Sequence, residues 1–402
     1  MTGLTVSLNL METFGLAVLV LLFGRYLVTR INVLEKFCIP APVVGGILFS
    51  LLTLLGYATG AFSIKMDTAL QPFFMNCFFT TVGFGASLAI LKRGGPAILI
   101  FLLVATVLCV LQSGVGAGLA VAMGESPLLG LAAGSISMTG GHGTSGAFGP
   151  LLEKEGLVGG TTIAIAAATF GLVSGSLIGG PTGRRLIEKF KLTVTGAKSP
   201  MGGLTAEEAL GADPKPFSGT ELAIGFFQIA VAAGIGSVVS GVIQLTGITL
   251  PSYIGAMLVA AVFRNVFPDG TKYEMRLHEI HALGEIFLGV FLAYALMSLR
   301  LWELASLAIP LTVILVAQVS MMFLYATYVT FPLTGKDYDA AVIAAGHCGF
   351  GLGATPNGIA NMNAVVHRYG PSPKAFFVLP LVGCLFIDFI NAMIITFYIN
   401  VL

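Results

Sequence analysis

"AAGHCGFGLGATPNGIANM", residues 344–362, is a glycine-rich stretch inside a very hydrophobic chain. Four glycines fall within eight residues, from Gly346 to Gly353, and Pro356 follows them. Glycine and proline both disfavour the interior of a helix. The stretch is therefore predicted to interrupt the helical pattern around it.

The composition identifies the chain as a membrane protein. Of its 402 residues, 56% are hydrophobic and 10% are charged, whereas soluble globular proteins carry about 25% charged residues. Charged residues are absent from the runs 161–183, 222–263 and 304–335. Each run is long enough for one or two membrane-spanning helices of about 20 residues. This pattern excludes a soluble protein with buried helices.

Smaller features narrow the class further. The net charge of +1 predicts no nucleic-acid partner. The five scattered cysteines argue against a disulfide framework and against paired metal-ligand motifs. No basic segment precedes the first apolar run, residues 14–28, and no small-residue cleavage site follows it. We therefore expect a retained helix rather than a cleaved signal peptide.

The basic residues predict the topology, because Lys and Arg favour the cytoplasmic side. Ten spans are predicted, at about 12–29, 41–60, 70–91, 96–122, 161–183, 220–246, 250–266, 283–299, 304–331 and 375–399. With both termini periplasmic, 17 of the 20 basic residues lie inside, and only Lys65, Lys154 and Arg300 lie outside. The sequence thus predicts a multi-pass protein with a cytoplasmic central linker.

The two halves of the chain resemble each other in the same order. "IPAPVVGGIL" (39–48) is similar to "LPSYIGAML" (250–258), and "ASLAILKR" (86–93) is similar to "YALMSLRL" (294–301). "GLAAGSISMTGGHGT" (130–144) is similar to "VIAAGHCGFGLGATP" (342–356). We divide the chain into a first repeat (1–190), a linker (191–219) and a second repeat (220–402). Each repeat has five spans, so the two insert with opposite orientation, as in secondary transporters.

The glycine-rich stretches, about 127–150 and 340–363, are predicted to be re-entrant hairpins whose tips meet near the membrane midplane. Non-helical backbone at that depth must be buried in protein or line a wet cavity. Helix N-termini at the tips suit carboxylates, and freed carbonyl oxygens suit Na⁺. The predicted fold is an all-α integral membrane protein with two inverted five-helix repeats, each with one hairpin. The alternative is that the glycines only allow close helix packing.

Several motifs closely resemble the bacterial sodium/glutamate symporter family. They are "TGGHGT" (139–144), "SGSLIGGP" (174–181), "LRLWELASLAIP" (299–310), "GKDYDAAVIAAGHCGFGLGATPNGIANM" (335–362) and "FIDFINAMII" (386–395). The long fourth motif is highly specific. The resemblance implies a bacterial inner-membrane symporter that takes up glutamate with Na⁺, works as an elevator, contacts membrane lipid and forms a homodimer.

Glutamate carries two carboxylates, which need hydrogen-bond donors. We expect these donors at the two tips, from backbone N–H groups and side-chain hydroxyls or amides. The candidate substrate-binding residues are Ser135, Ser137, Thr139, Gly140, Gly141, His142, Gly143, Thr144, Gly351, Gly353, Ala354, Thr355, Asn357 and Asn361. For each single hydroxyl, bonding to its own helix backbone is an equal alternative.

Asp388 is an ionisable residue inside the last predicted span. Such a residue costs several kcal/mol in the membrane interior unless it is paired or functional. Asn391 is three residues further and shares its helix face. We expect both to bind Na⁺ through oxygen, with His347 and Gly349 as further candidates. Asp388 is also a candidate acceptor for the substrate ammonium, and a plain helix-interface role is the alternative.

Histidines raise the question of proton coupling. His142 and His347 occupy corresponding hairpins, but neither motif contains a carboxylate beside them. We therefore expect neutral histidines with structural or substrate-contacting roles. His278, Glu279, His281 and Glu285 resemble metal ligands, yet they fall where a short loop enters the eighth span. A solvated helix end is the expected assignment.

Three rival functions remain. An intramembrane enzyme needs a paired acid and base or a metal set at depth, and Asp388 has no second carboxylate in a comparable span. Glycine-rich hairpins also form channel filters, but inverted halves favour alternating access. The nearest alternative is Na⁺- or H⁺-coupled transport of another carboxylate, such as citrate or a dicarboxylate.

Overall fold

The computed structural model describes residues 4–36, 39–93, 95–194, 218–246, 253–267, 274–299 and 307–402. Most of the predicted linker (191–219) and Cys38 lie outside these ranges. Helices of the first half are α1 (Leu10–Arg30), α2 (Asn32–Lys36), α3 (Ala41–Thr59), α4 (Leu70–Gly85), α5 (Leu88–Arg93), α6 (Gly95–Ala122), α7 (Pro127–Ala132), α8 (Gly141–Lys154) and α9 (Gly160–Phe190). Helices of the second half are α10 (Gly219–Gln244), α11 (Tyr253–Val266), α12 (Leu277–Met297), α13 (Ala308–Leu333), α14 (Tyr338–Leu352), α15 (Thr355–Tyr369), α16 (Pro373–Leu385) and α17 (Ile387–Val401).

The predicted spans are found as apolar helices. Eight described helices are long and apolar enough to cross a membrane, and α16 with α17 adds a ninth if this bent pair is one span. The remaining predicted span, 250–266, appears as the 14-residue helix α11. The chain is thus mostly helical and multi-pass, as the sequence predicts.

One small sheet corrects the prediction of a purely helical protein. Strand β1 (Leu4–Leu8) pairs in parallel with β2 (Phe62–Met66). The two strands flank α1 and α3, and the side chains of β2 alternate between half-buried and exposed. A five-residue alternating pattern is too short to stand out beside long apolar helices, so the sequence prediction missed it.

The helices pack into two groups. Group A contains α1, α3, α4, α10, α11 and α12, and group B contains α6 to α9 and α13 to α17. Each group therefore takes helices from both halves of the sequence. The largest buried apolar cluster runs through group B and reaches group A at Tyr253 and Phe291.

The long helix α9 is set against α14 and α15 by a row of glycines. A Cβ at Gly175 would lie 2.8 Å from the carbonyl oxygen of Cys348, and a Cβ at Gly171 would collide with the carbonyl oxygen of Leu352. At Gly179, a Cβ would collide with the amide of Asn361. The absence of side chains lets the two backbones approach closely, and this contact fixes the position of the α14–α15 pair.

Three helices are interrupted in group B. The first broken segment is α7, residues 133–140 and α8, and the second is α14, Gly353–Ala354 and α15. The third interruption is a 46° bend at Phe386, between α16 and α17. The first two coincide with the predicted glycine-rich stretches, whereas the third occurs within a predicted continuous span.

Candidate functional site

A cavity of about 840 Å³ lies between group A and group B. Group B contributes both breaks and the bend to its wall. The lining residues from this group are Thr139, Gly140, Gly141, His142, Gly143, Thr144, Leu172, Phe350, Gly353, Ala354, Thr355, Pro356, Gly383, Cys384 and Asp388. Group A contributes the start of α3, the second half of α4 and one face of α12, including His281 and Glu285.

The two breaks touch each other beside this cavity. Gly141 has φ +59°, which L-residues with a side chain rarely adopt. A Cβ at this position would lie 2.7 Å from the carbonyl oxygen of Gly353. Glycine at residue 141 therefore satisfies two requirements, the left-handed backbone and the close approach of the second broken segment.

Two helix N-termini face the cavity. Helix α8 begins at Gly141, and α15 begins at Thr355 with Pro356 in its first turn. The first N–H groups of a helix have no partner inside the helix. The N–H groups of Gly141, His142 and Gly143 donate no hydrogen bond elsewhere in the described part of the chain. Helix N-termini of this kind attract anions.

The described part of the cavity wall has no permanently charged cationic side chain to bind an anion. Among its described lining residues there is no Lys or Arg, and the charged side chains are the acids Asp388 and Glu285. Favourable interactions with a carboxylate therefore come from the helix N-termini and from the hydroxyls of Thr144 and Thr355, because the Thr139 hydroxyl donates its proton to Gln112 Oε1. This arrangement suits a ligand that carries carboxylates together with a positive group.

Asp388 lies in the first turn of α17, directly after the bend at Phe386. Its side chain lines the cavity. Within the described residues, its carboxylate accepts no hydrogen bond and forms no salt bridge. An unpaired carboxylate at this depth is costly, and a bound cation would offset that cost.

Asn391 lies one turn beyond Asp388 and is fully buried. Its Nδ2 donates to the carbonyl oxygen of Ser135, at 3.0 Å, which joins α17 to the first break. Its Oδ1 is buried and has no hydrogen-bond partner in the described structure. A buried acceptor without a partner is rare, and a bound cation would satisfy it.

Other predicted site residues lie behind the wall and hold the segments together. Asn357 Nδ2 donates to the carbonyl oxygen of Leu172 at 3.0 Å, and Asn361 Nδ2 donates to that of Gly175 at 2.9 Å. Ser135 Oγ pairs with Ser113 Oγ at 2.8 Å. These contacts join the broken segments to α9 and α6 rather than to the cavity. Ser137, Gly349 and Gly351 also lie outside the cavity wall.

The two predicted histidines have different surroundings. His142 lines the cavity, and its Nε2 lies 3.0 Å from Thr169 Oγ1. Because the Thr169 hydroxyl donates to the carbonyl oxygen of Ile165, His142 Nε2 is the donor in this pair. His347 lies away from the cavity, with Nδ1 at 2.8 Å from Thr330 Oγ1 and its ring among Phe101, Tyr325 and Phe350.

The sequence prediction missed the group A wall. His281 and Glu285 lie one turn apart on α12 at the cavity, whereas we expected only a solvated helix end there. Glu285 is exposed, so it is solvated as well as part of the wall. His281 and Glu285 are four residues apart, and residues at this spacing share one face of a helix. Gly284 and Gly289 lie on the same wall. This spacing is the sequence signal that could have predicted one lining face.

Fold and cavity together define a multi-pass membrane protein with a cavity between two groups of helices. The family model described as sodium/glutamate symporter matches residues 6–371. Sodium/glutamate symporters of Escherichia coli K12 and Shigella flexneri are each 42% identical over 398 residues, which is 98% of both chains. That of Haemophilus influenzae is 41% identical over 385 residues, covering 96% of this chain and 95% of its own. The chain belongs to the sodium/glutamate symporter family, as its motifs predict, and symporters are transporters rather than enzymes.

Proposed function

We propose that this chain is a symporter that imports glutamate together with Na⁺ across the bacterial inner membrane. The observation that carries the proposal is the meeting of two helix N-termini beside an unpaired carboxylate, Asp388, in one cavity. Full-length similarity to sodium/glutamate symporters supports the same ligand pair. Sodium is then a transported ion and not a resident cofactor.

The substrate carboxylates bind at the tips. The N–H groups of Gly141, His142 and Gly143 serve one carboxylate, and the start of α15 at Thr355 serves the other. Hydroxyls of Thr139, Thr144 and Thr355 line the same space. Ala354, Gly140 and Gly353 allow the backbone to reach the ligand. The absence of Lys and Arg from the described wall favours this backbone-based recognition.

Sodium binds at Asp388 and Asn391. The unpaired carboxylate and the partnerless Oδ1 lie on one face of α17, and both are oxygen ligands of the kind that hard cations prefer. The amide of Asn391 also holds the carbonyl oxygen of Ser135, which ties the site to the first break. His347 packs among aromatic rings, and Gly349 lies behind the wall, so neither gains support as a ligand.

The architecture is that of two inverted five-span repeats, and the two broken segments are re-entrant hairpins. Each group combines helices from both repeats. Group B carries both breaks and Asp388, so we assign it as the transport unit. Group A is then the scaffold. The ring contacts between the two groups are apolar. Phe148 meets Tyr253 with ring centroids 5.9 Å apart, and a Cβ at Gly146 would lie 2.9 Å from the Phe291 ring. Such contacts allow an elevator movement.

The cavity opens toward the cytoplasm. Its group A wall is built from the start of α3, the end of α4 and the start of α12. These ends adjoin basic residues that the positive-inside rule assigns to the cytoplasm, such as Arg30 and Arg276. The end of α11 joins them, since Asn265 bonds to the backbone of Ala86 and Leu88. On this proposal the chain is in an inward-facing state, with both termini periplasmic.

Group A also presents a wide apolar surface. On α10, Phe227 is 62% exposed and Val238 is 68% exposed. Exposed apolar faces of this size contact lipid or another chain. We assign them to the bilayer and to a second copy of the chain, which gives a homodimer built on the scaffold groups.

The test is uptake of labelled L-glutamate by proteoliposomes that contain the purified protein. We expect uptake under a Na⁺ gradient and none under a proton gradient in Na⁺-free buffer. Uptake with protons alone would reassign the coupling ion and return attention to His142. If unlabelled citrate or a dicarboxylate competes better than unlabelled glutamate, the substrate is the alternative carboxylate.

A further inference from the structure

Gln112 connects the two broken segments from behind the cavity. It lies in the second half of α6 and is fully buried. Its Nε2 donates to the carbonyl oxygen of Gly351, at 2.6 Å. Its Oε1 accepts a hydrogen bond from Thr139 Oγ1, at 2.7 Å. One planar amide therefore contacts the first break and the last turn of α14, just before the second break, at the same time.

The surrounding contacts hold Gln112 in place. Gln318 Nε2 donates to the carbonyl oxygen of Gln112 at 2.8 Å, which joins α13 to α6. The neighbouring Ser113 pairs with Ser135 in the first break. The backbones of Gly116 and Gly130 are in direct contact one turn further along α6. Contacts among α6, α7 and α13 thus hold the amide in position.

An amide meets both hydrogen-bonding needs of this position. The carbonyl oxygen of Gly351 requires a donor, and the single hydroxyl proton of Thr139 requires an acceptor. A glutamine side chain supplies both in a fixed plane. Thr139 Oγ1 lies 3.3 Å from the carbonyl oxygen of Gly351, so without the amide this hydroxyl would turn to Gly351 and change the geometry of both breaks.

We propose that Gln112 is a positioning residue that couples Na⁺ binding to glutamate binding. The inference rests on the proposed function. Sodium at Asp388 and Asn391 orders the first break through Ser135. The bond between Thr139 and Gln112 transmits this order to Gly351, two residues before the second tip at Gly353. Sodium thereby prepares the start of α15 for a substrate carboxylate, and substrate strengthens Na⁺ binding reciprocally.

The quantity that tests this role is the KM for glutamate at low Na⁺ divided by the KM at high Na⁺, measured in proteoliposomes. This coupling ratio does not depend on the amount of active protein. We expect Gln112→Met, which keeps the length and removes both hydrogen bonds, to lower the ratio about tenfold, within the ordinary range of coupling between sites. Gln112→Asn keeps the amide but shortens its reach, and it should lower the ratio in the same direction.

Gln228→Met is the matched control. Gln228 also uses both ends of its amide, since Nε2 donates to the carbonyl oxygen of Glu274 and Oε1 accepts from the backbone N–H of Arg276, but it lies within group A. We expect it to keep the wild-type ratio. If Gln112→Met keeps the wild-type coupling ratio, whatever its maximal rate, the inference is overturned. If Gln112→Met does not fold, a wild-type coupling ratio in Gln112→Asn overturns it instead. If the KM of the wild-type protein for glutamate does not depend on the Na⁺ concentration, the proposed Na⁺ coupling is refuted, and the inference is refuted with it.

Discussion

At the scale of single residues, the charge of Asp388 is the feature with the clearest consequence. Asp388→Asn keeps the size of the side chain and its oxygen, and it removes the charge from the proposed Na⁺ site. A hydrogen bond or ion contact to a charged group contributes roughly 1.5–3 kcal/mol. We therefore expect the half-saturating Na⁺ concentration for glutamate uptake to rise about 10- to 100-fold, since about 1.4 kcal/mol corresponds to a factor of ten.

Glu285→Gln provides the matched control for this prediction. Glu285 is the other acid in the described cavity wall, but it lies on group A and is exposed to solvent. We expect its neutralisation to change the half-saturating Na⁺ concentration by less than about threefold, because exposed charges are screened. Equal effects of both substitutions would mean that Asp388 acts only through the general field of the cavity.

Residue chemistry alone identified which side chains were candidates, but not which direction each one faces. Thr139, His142, Thr355 and Asp388 were predicted from the sequence, and they line the cavity. Asn357 and Asn361 were predicted for the same purpose, yet both donate to the backbone of α9. Nothing local distinguishes these cases, because the partner backbone of Leu172 and Gly175 is almost 190 residues away in sequence and approaches through glycines.

At the scale of elements, the fit between α9 and the α14–α15 pair can be tested with two adjacent glycines. A Cβ at Gly179 would collide with the Asn361 amide, whereas a Cβ at Gly180 would meet nothing within 4 Å. Gly179→Ala should therefore push α15 away, lowering the unfolding temperature in detergent and the rate of uptake. Gly180→Ala should leave uptake unchanged and stabilise the helix by up to about 1 kcal/mol, the propensity difference between the two residues.

The changes in unfolding temperature of Gly179→Ala and Gly180→Ala test whether the contact between α9 and α15 is as close as described. Both positions lie on one helix and receive the same substitution, so expression and helix propensity are matched. Opposite shifts would support the contact between Gly179 and Asn361. If Gly179→Ala were as stable and as active as Gly180→Ala, the close packing of α9 would not be what positions the second broken segment.

Elements differ in how well the sequence predicts them. The breaks at residues 133–140 and at Gly353–Ala354 follow from clustered glycines, which leave a helix without side-chain packing and give it freedom to turn. The bend at Phe386 has neither glycine nor proline at the break itself, so a straight span was expected at 375–399. This bend places Asp388 at a helix start.

At the scale of the whole molecule, the repeated motifs predicted more than a list of spans. Corresponding segments around Gly130–Thr144 and Val342–Pro356 were expected to meet, and Gly141 and Gly353 are in contact. The division into group A and group B could not be predicted, because it crosses both halves of the chain. It depends on contacts such as Ser50 with Leu296, whose residues are 246 positions apart.

The apolar contact between Phe148 and Tyr253 tests whether these groups move as units. Phe148 belongs to α8 in group B, and Tyr253 belongs to α11 in group A. In a variant with the native cysteines replaced, Phe148→Cys and Tyr253→Cys should be joined by a short, reducible thiol cross-linker. We expect the joined protein to lose glutamate uptake, since group B can no longer slide past group A, and to recover uptake after reduction.

A cross-linked pair within one group is the control, because it shows whether cross-linking alone reduces uptake. The rings of Phe14 and Phe74 have centroids 5.7 Å apart, against 5.9 Å for Phe148 and Tyr253, and both belong to group A. Joining Phe14→Cys to Phe74→Cys should therefore leave uptake near that of the same variant before cross-linking. If the Phe148–Tyr253 pair transported equally well when joined, α8 and α11 would keep their contact throughout the cycle. The moving part would then have to be smaller than group B, such as one broken segment hinging at its glycines.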